Sequence, residues 1–285
     1  MKKVAVVADS IACLPPELVS EYQLQIIPIN IQYEGKTYRN GKDLTPSQAY
    51  QMLERAPDRF ASSPASPGEY VRAFRKASEY GESVLCITLS SKLSTVYNMA
   101  QLAKEEARRD FPQIPVEVLD SMTAAGGEGL VVMAAARAAA EGKSMAVVTK
   151  LVKSLRDKVN VIGIMETVRY VYRTGRIPKM TSQVGSLLSI KPIFTITNGV
   201  VGIAGFTRSK ERAVKRALKM MKDRVGTRPV HVAVSHADVL EEGQKLMEQI
   251  SARFNCAELW LSDFSPVMGY ATGTGVLAVA FYVEE

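Results

Sequence analysis

Three short apolar segments, each ending in a polar turn, constrain the fold of this chain more than any other feature. The segments and their turns are residues 4–8 before Asp9–Ser10, residues 84–89 before Ser90–Ser94, and residues 116–119 before Asp120–Ser121. Runs rich in β-branched residues are typical of strands buried within a parallel sheet. Helices predicted near residues 95–110 and 127–141 follow the second and third segments. This repetition predicts a mostly parallel sheet flanked by helices.

The pattern changes in the second half of the chain, after a helix predicted near residues 144–158. The elements predicted there are strands at 161–165, 191–197, 200–207, 230–235 and 275–283, with helices at 209–225 and 240–254. Asn198–Gly199 favours a tight hairpin, because a type I′ turn needs positive φ at both central residues. We therefore predict an α/β protein of two domains. Residues 1–160 carry the mostly parallel sheet, and residues 161–285 carry a mixed sheet that contains antiparallel strands.

The composition limits the classes of protein to which the chain can belong. Its 285 residues, 47% of them hydrophobic, are enough for two cores. The formal charge is +7, but the basic residues are scattered along helical stretches without interleaved aromatic residues, so we expect no nucleic-acid partner. The N-terminus lacks the apolar core of a signal peptide, and no run has membrane-spanning length. We expect a cytoplasmic protein without stable membrane insertion.

The sequence patterns of common enzyme and metal sites are absent or incomplete. Gly142–Ser144 resembles the end of a phosphate-binding loop, but Arg137 stands where its first glycine would be. Too few residues follow Gly275 for a dinucleotide-binding unit to start there. The three cysteines are far apart, and His236 is expected to be a structural turn residue. We expect no catalytic residue, no metal and no cofactor.

Hydroxyl side chains are concentrated at the predicted strand ends. They are Ser10, Ser62, Ser63, Ser66, Ser90, Ser91, Ser94, Ser121 and Thr123. Each alone is ordinary as a helix cap or turn former. If the strands are neighbours, however, their carboxyl ends gather these hydroxyls around one point, which suits a carboxylate or a phosphate. The glycines of Gly126–Gly129 would allow close backbone approach there, or would simply begin a helix.

Short motifs occur in a fixed order over nearly the whole chain. They are Asp9–Ser10 with Leu14–Pro15, SSPASP at 62–67, SSKLS at 90–94 with Tyr97, Asp120–Ser121, GRI at 175–177, LLSIKPI at 187–193 and HAD at 236–238. Together they resemble the motifs of the DegV family of bacterial fatty-acid-binding proteins. The family patterns include TSQPSP, SSxLSGTY, GGRI and LLxIKPI.

The resemblance implies that residues 1–160 bind one long-chain fatty acid and that residues 161–285 close a cleft over its carboxylate. On this model Ser62 and Ser94 donate hydrogen bonds to the carboxylate, and further hydroxyls complete the site: Ser63, Ser91, Ser121, Thr123 and Thr272. The protein would be a lipid carrier and not an enzyme. In some members a separate fatty acid kinase phosphorylates the bound acid, and Arg176 and Arg208 match the positions that contact this partner.

The chain also departs from the family pattern. Ala271 stands where the family carries a histidine near the lipid head group, so Thr272 or Thr274 would have to supply the polar contact. We therefore expect lipid binding to be retained and kinase-dependent phosphorylation to be weak or altered. The alternative is a small-molecule enzyme that acts on a phosphorylated or carboxylated substrate at the same cleft, with Asp9 or Asp120 as its general base.

Overall fold

The computed structural model describes residues 2–168, 170, 174–175 and 190–284. Its strands are β1 (Ala5–Asp9), β2 (Gln25–Ile27), β3 (Asn30–Tyr33), β4 (Lys36–Arg39), β5 (Phe60–Ser63), β6 (Val84–Thr88), β7 (Val116–Asp120), β8 (Asn160–Ile164), β9 (Lys191–Thr197), β10 (Val200–Thr207), β11 (Val230–His236), β12 (Cys256–Asp263) and β13 (Leu277–Val283). Its helices are α1 (Pro16–Glu21), α2 (Pro46–Arg55), α3 (Pro67–Ser78), α4 (Val96–Asp110), α5 (Gly126–Ala140), α6 (Met145–Arg156), α7 (Lys210–Val225), α8 (Leu240–Ser251) and α9 (Pro266–Thr272), with a 3₁₀ turn at Pro57–Arg59.

The N-terminal sheet is parallel throughout and has the strand order β2-β1-β6-β7. Three of its strands are the apolar segments that the sequence identifies, and every residue of β1 and β6 is buried. Helices α3 and α4 pack against each other and on this sheet. The predicted parallel sheet flanked by helices is confirmed.

The second sheet is mixed and has the order β10-β9-β8-β13-β11-β12. Its pairs are antiparallel except for β11 with β12. Asn198 and Gly199 have φ angles of 50° and 77° and connect β9 to β10, so the predicted hairpin is confirmed. Helices α7 and α8 pack on this sheet.

A third, antiparallel sheet of order β4-β3-β5 was not predicted from the sequence. Its strands have four residues each, and only Ile31, Tyr33 and Phe60 are buried. Short strands with so many exposed positions give a weak period-two signal. This small sheet positions Ser62 and Ser63 at the end of β5.

Helix α5 lies between the two large sheets, contacting β1 and β6 on one and β11 and β13 on the other. It is buried on nearly all sides, which explains its uniform hydrophobicity. A Cβ at Gly126 would lie 2.8 Å from the Cβ of Ala233, and one at Gly129 would overlap the backbone of Ala12. Because α5 belongs to both packing layers, the domain division at residue 160 stays a prediction. None of the described helices is long and apolar enough to cross a membrane.

Candidate functional site

A cavity lies where the carboxyl edge of the N-terminal sheet meets the second sheet and α9. It holds about 980 Å³ of space, its open mouth included. Most of the lining is apolar: Ile11, Ile29, Pro64, Leu89, Leu93, Val96, Ala124, Ala125, Val161, Phe194, Ile196, Val201, Phe264, Val267, Met268 and Ala271. A lining of this kind suits a ligand with a large hydrocarbon part.

Four of the predicted hydroxyl residues line this cavity, namely Ser62, Ser63, Ser94 and Thr272. The three serine hydroxyl hydrogens have no acceptor among the described residues, so they can donate to a ligand. Thr272 differs, because its hydroxyl donates to the Met268 carbonyl oxygen at 3.2 Å. Thr272 therefore offers a ligand an acceptor oxygen and no free donor.

The structure does not bring Ser91, Ser121 and Thr123 to the cavity lining. Their polar groups hold the turns after β6 and β7 together. The Ser91 N–H donates to Asp120 Oδ2 at 3.1 Å, and the Ser121 hydroxyl donates to the Thr123 carbonyl at 3.2 Å. Ser121 and Thr123 are buried within this turn. Strand ends that meet at one sheet edge thus gather hydroxyls, but some of them satisfy local backbone groups instead of facing a ligand.

The remaining predicted positions lie around the cavity or outside the described part of the chain. Arg208 is exposed just after β10 and is not part of the lining. Arg176 lies outside the described residues. Ala271 lines the cavity beside Thr272, so a methyl group occupies the position where the resemblance expects an imidazole.

The turn that carries Ser94 is fastened to the β9–β10 hairpin. The Ser90 hydroxyl donates to the Gly199 carbonyl at 2.8 Å, and the Lys92 ammonium donates to the Asn198 carbonyl at 2.9 Å. A Cβ at Gly199 would overlap the Ser90 hydroxyl. The two connections hold cavity residues from both halves of the chain in one arrangement.

A buried pair of carboxyl groups, Asp9 and Glu128, adjoins the cavity wall, and no sequence pattern indicates it. The Asp9 carboxylate accepts hydrogen bonds from the N–H groups of Ile11, at 2.8 Å, and Leu89, at 3.0 Å. Burial raises the pKa of Asp9 to about 6, although these two N–H groups oppose the rise. Burial and the neighbouring Asp9 charge raise the pKa of Glu128 well above its usual value. An acid in the first turn of a helix is ordinary in sequence, so only the fold reveals the pair.

These pKa shifts favour the neutral form of Glu128, with the Asp9 carboxylate as its neighbour and hydrogen-bond partner. Both Glu128 oxygens are buried without a hydrogen bond to an N–H group of the described residues, and a protonated acid can satisfy one of them by donating to Asp9. The pair joins the ends of β1 and β6 to the start of α5. Ile11 and Leu89 line the cavity, and their N–H groups donate to Asp9, so the Asp9–Glu128 pair holds this part of the cavity wall in position.

The described lining residues include no side chain that titrates. Asp9 and Asp120, the predicted candidates for a general base, lie outside the lining, and both accept backbone hydrogen bonds. Among the described residues there is also no group of three His, Cys, Asp or Glu side chains that could hold a metal ion. The described arrangement can hold an apolar chain and donate hydrogen bonds to its polar end.

The motif resemblance extends over the whole chain. The family model described as "Uncharacterised protein, DegV family" matches residues 3–284. The chain belongs to the DegV family. A DegV domain-containing protein of Clostridium perfringens is 29% identical over 288 residues, which are 99% of this chain and 98% of the relative. Another DegV domain-containing protein, from Caldanaerobacter subterraneus subsp. tengcongensis, is 28% identical over 289 residues and is matched over the full length of both chains.

Solved structures of this family share the fold. The fatty-acid-binding DegV family protein of Thermus thermophilus superposes with a TM-score of 0.87 at 26% identity, covering 100% of both chains. The fatty-acid-binding DegV protein of Bacillus subtilis gives the same three values. The predicted α/β fold, with a parallel sheet followed by a mixed sheet, is confirmed.

Proposed function

We propose that this DegV family member binds one long-chain fatty acid in the cavity and catalyses no reaction itself. The observation that carries the proposal is the combination of an apolar lining with three serine hydroxyls, Ser62, Ser63 and Ser94, whose hydrogens are free to donate. The two family proteins that are 26% identical to this chain are described as fatty-acid-binding proteins, which supports the same ligand here.

The hydrocarbon chain supplies the affinity. Burying roughly 14 methylene groups at about 0.8 kcal/mol each contributes on the order of 11 kcal/mol before the costs of association. Isoleucine, leucine, valine and phenylalanine side chains from both sheets provide the apolar surface that this burial needs.

The serine hydroxyls orient the carboxyl end. A carboxylate removed from water needs strong hydrogen-bond donors or a cation. Ser94 in the turn before α4 and Ser62 in β5 supply donors from two different elements. Thr272 presents an oxygen that can accept a hydrogen bond if the bound acid carries its proton.

A calorimetric titration of delipidated protein with palmitate tests this assignment. Removing one hydrogen bond to a charged group costs about 1.5–3 kcal/mol, so Ser62→Ala and Ser94→Ala should each weaken palmitate binding about tenfold to hundredfold. The same substitutions should weaken hexadecanol binding less, because a hydrogen bond to a neutral group is weaker than one to a charged group. Ser78→Ala is the control: that hydroxyl donates to the Arg75 carbonyl on the exposed side of α3. Failure of the unmodified protein to bind palmitate would contradict the proposal.

We further propose that the protein is cytoplasmic and presents the carboxylate at the cleft between the two halves of the chain. In this proposal a fatty acid kinase contacts Arg176 and Arg208. An arginine guanidinium can hold a phosphate or an acidic partner through two parallel hydrogen bonds. Ala271 supplies no hydrogen bond and no charge near the head group, which favours weak phosphorylation. Acyl-phosphate formation at a normal rate in a reconstituted kinase assay would contradict this part.

The enzyme alternative requires a general base within hydrogen-bond reach of the ligand. The described lining residues supply none, so the lipid-carrier proposal accounts better for the site.

A further inference from the structure

A second groove lies on the other side of the cavity wall. It holds about 1860 Å³ of space, open solvent included. The carboxyl ends of two parallel strand pairs meet there. From the first sheet, β1 ends at Asp9 and β2 is followed by Pro28, while β11 and β12 of the second sheet end at His236 and Asp263. In α/β proteins, ligands bind preferentially beyond the carboxyl ends of parallel strands.

The groove and the lipid cavity are separated by a wall of shared segments. In each segment, one residue lines the groove and the adjacent residue lines the cavity. Ser10 lines the groove and Ile11 lines the cavity, and Pro28 and Ile29 divide in the same way. Around α9, Ser265 lines the groove and Phe264 lines the cavity. The two spaces are therefore separate sites, and neither is an extension of the other.

One amide holds two serine hydroxyls of the groove in place. Asn40 is 7% exposed, and its side-chain N–H groups donate to Ser10 Oγ at 3.0 Å and to Ser265 Oγ at 3.1 Å. Ser10 Oγ also accepts from the Ile29 N–H at 3.0 Å. Both serine oxygens thus act as acceptors, and neither hydroxyl hydrogen has an acceptor among the described residues. Ser265 is 4% exposed, and a buried hydroxyl hydrogen without a partner is uncommon in native proteins. The pair is a prearranged double donor.

Acidic side chains prevail among the charged groups of the groove. Asp9, Glu17 and Asp263 line it, against Lys42. His236 Nε2 lies 3.8 Å from Asp263 Oδ1, and burial lowers the pKa of His236 and favours its neutral form. A phosphate or other anion would face net repulsion here. A ligand that fits must accept from the two serines and donate to Asp263 without adding negative charge, and hydroxyl groups do both.

We propose that this groove is a second ligand site, which binds a small polyol such as glycerol or a sugar between the Ser10–Asn40–Ser265 donors and the Asp263 carboxylate. The site is independent of the fatty acid that we propose for the neighbouring cavity.

Amide-resolved nuclear magnetic resonance of the ¹⁵N-labelled full chain tests the proposal with glycerol, ribitol, glucose and inorganic phosphate as probes. We expect saturable shifts from at least one polyol at the Ile29 backbone amide and the Asn40 side-chain amide, with weaker or no saturation by phosphate. Ser265→Ala should weaken polyol binding about tenfold through the loss of one hydrogen bond. Asp263→Asn is a second variant, at a half-exposed side chain, so it does not disturb the buried wall. It should also weaken polyol binding.

Three outcomes would overturn the proposal. Absence of saturable shifts with every polyol would show that the groove is not such a site. Shifts that neither variant weakens would place binding elsewhere, and tighter binding of phosphate would refute the ligand class. Ser78→Ala, at the end of α3 and away from the groove, is the matched control and should leave the shifts unchanged. Palmitate binding by the same samples is measured in parallel, so a failure here is distinguishable from a failure of the lipid site.

Discussion

Replacing Glu128 by glutamine should change how the stability of this protein depends on pH. Burial and the Asp9 charge raise the pKa of Glu128 well above the usual 4.5, so the folded protein holds this proton to a higher pH than the unfolded chain does. The unfolded chain releases that proton near the ordinary value. A raised pKa contributes stability that is complete below the unfolded value and is lost as pH rises toward the folded one.

The size of the effect follows from one proton. Between about pH 6 and the folded pKa of Glu128, the native state binds one proton more than the unfolded state, so the free energy of unfolding falls by about 1.4 kcal/mol per pH unit from this group. In Glu128→Gln the amide keeps the shape and still donates to Asp9, but it cannot ionise. Relative to the unmodified protein, the variant should gain unfolding free energy as pH rises above about 5, by at most about 1.4 kcal/mol per pH unit.

Urea unfolding at several pH values measures this difference, with Trp260 fluorescence and far-ultraviolet circular dichroism as signals. Titrating groups that do not interact with Glu128 cancel in the comparison of the two proteins. Glu141→Gln, at the exposed end of α5, is the control and should follow the unmodified profile. Parallel pH profiles for the unmodified protein and Glu128→Gln would refute the assignment of the proton to Glu128.

Three further substitutions test other parts of the account. The added Cβ of Gly163→Ala would overlap the ring of Phe194, which lines the cavity. The ring must therefore move, and palmitate binding measured by calorimetry should weaken. The control is Gly202→Ala in β10, where the nearest atom is 3.9 Å from the added Cβ; this variant should bind palmitate normally. Burial opposes ionisation of His231, but its hydrogen bonds to Glu258 and Glu284 prevail and raise its pKa. His231→Gln should therefore cost more unfolding free energy at about pH 6 than at about pH 8, and an equal cost at both pH values would contradict a stabilising charge on His231. Ser90→Ala removes the hydrogen bond to Gly199 and should increase amide exchange at the hairpin, with a loss of about 1 kcal/mol; unchanged exchange would show that this contact does not fasten the hairpin.

The sequence predicted those parts of the fold that have a strong local signal. The apolar runs of β1 and β6 are buried throughout, and β7 is buried except at Glu117, so their composition alone identifies them. Asn198–Gly199 identified the hairpin because few other dipeptides tolerate two positive φ angles. The small sheet of β3, β4 and β5 was missed, since its strands are short and largely exposed, and β12 was left unassigned.

The site was predictable only in part, for a different reason. Ser62 and Ser94 were named through the family resemblance, and the structure places both on the cavity lining; their role in lipid binding stays a prediction. Ser121 and Thr123 follow a strand end equally closely, yet their turn folds on itself, and local hydrogen bonding of this kind is not visible in a pattern of residue types. The Asp9–Glu128 pair and the Ser10–Asn40–Ser265 bridge join residues that are distant in sequence, so only the packed structure brings them together.

Native mass spectrometry of protein purified from cells, followed by denaturation and identification of the released molecule, tests the central claim most directly. We predict one long-chain fatty acid per protein molecule, released on denaturation. Protein that is purified empty and then fails to bind added fatty acids would contradict it.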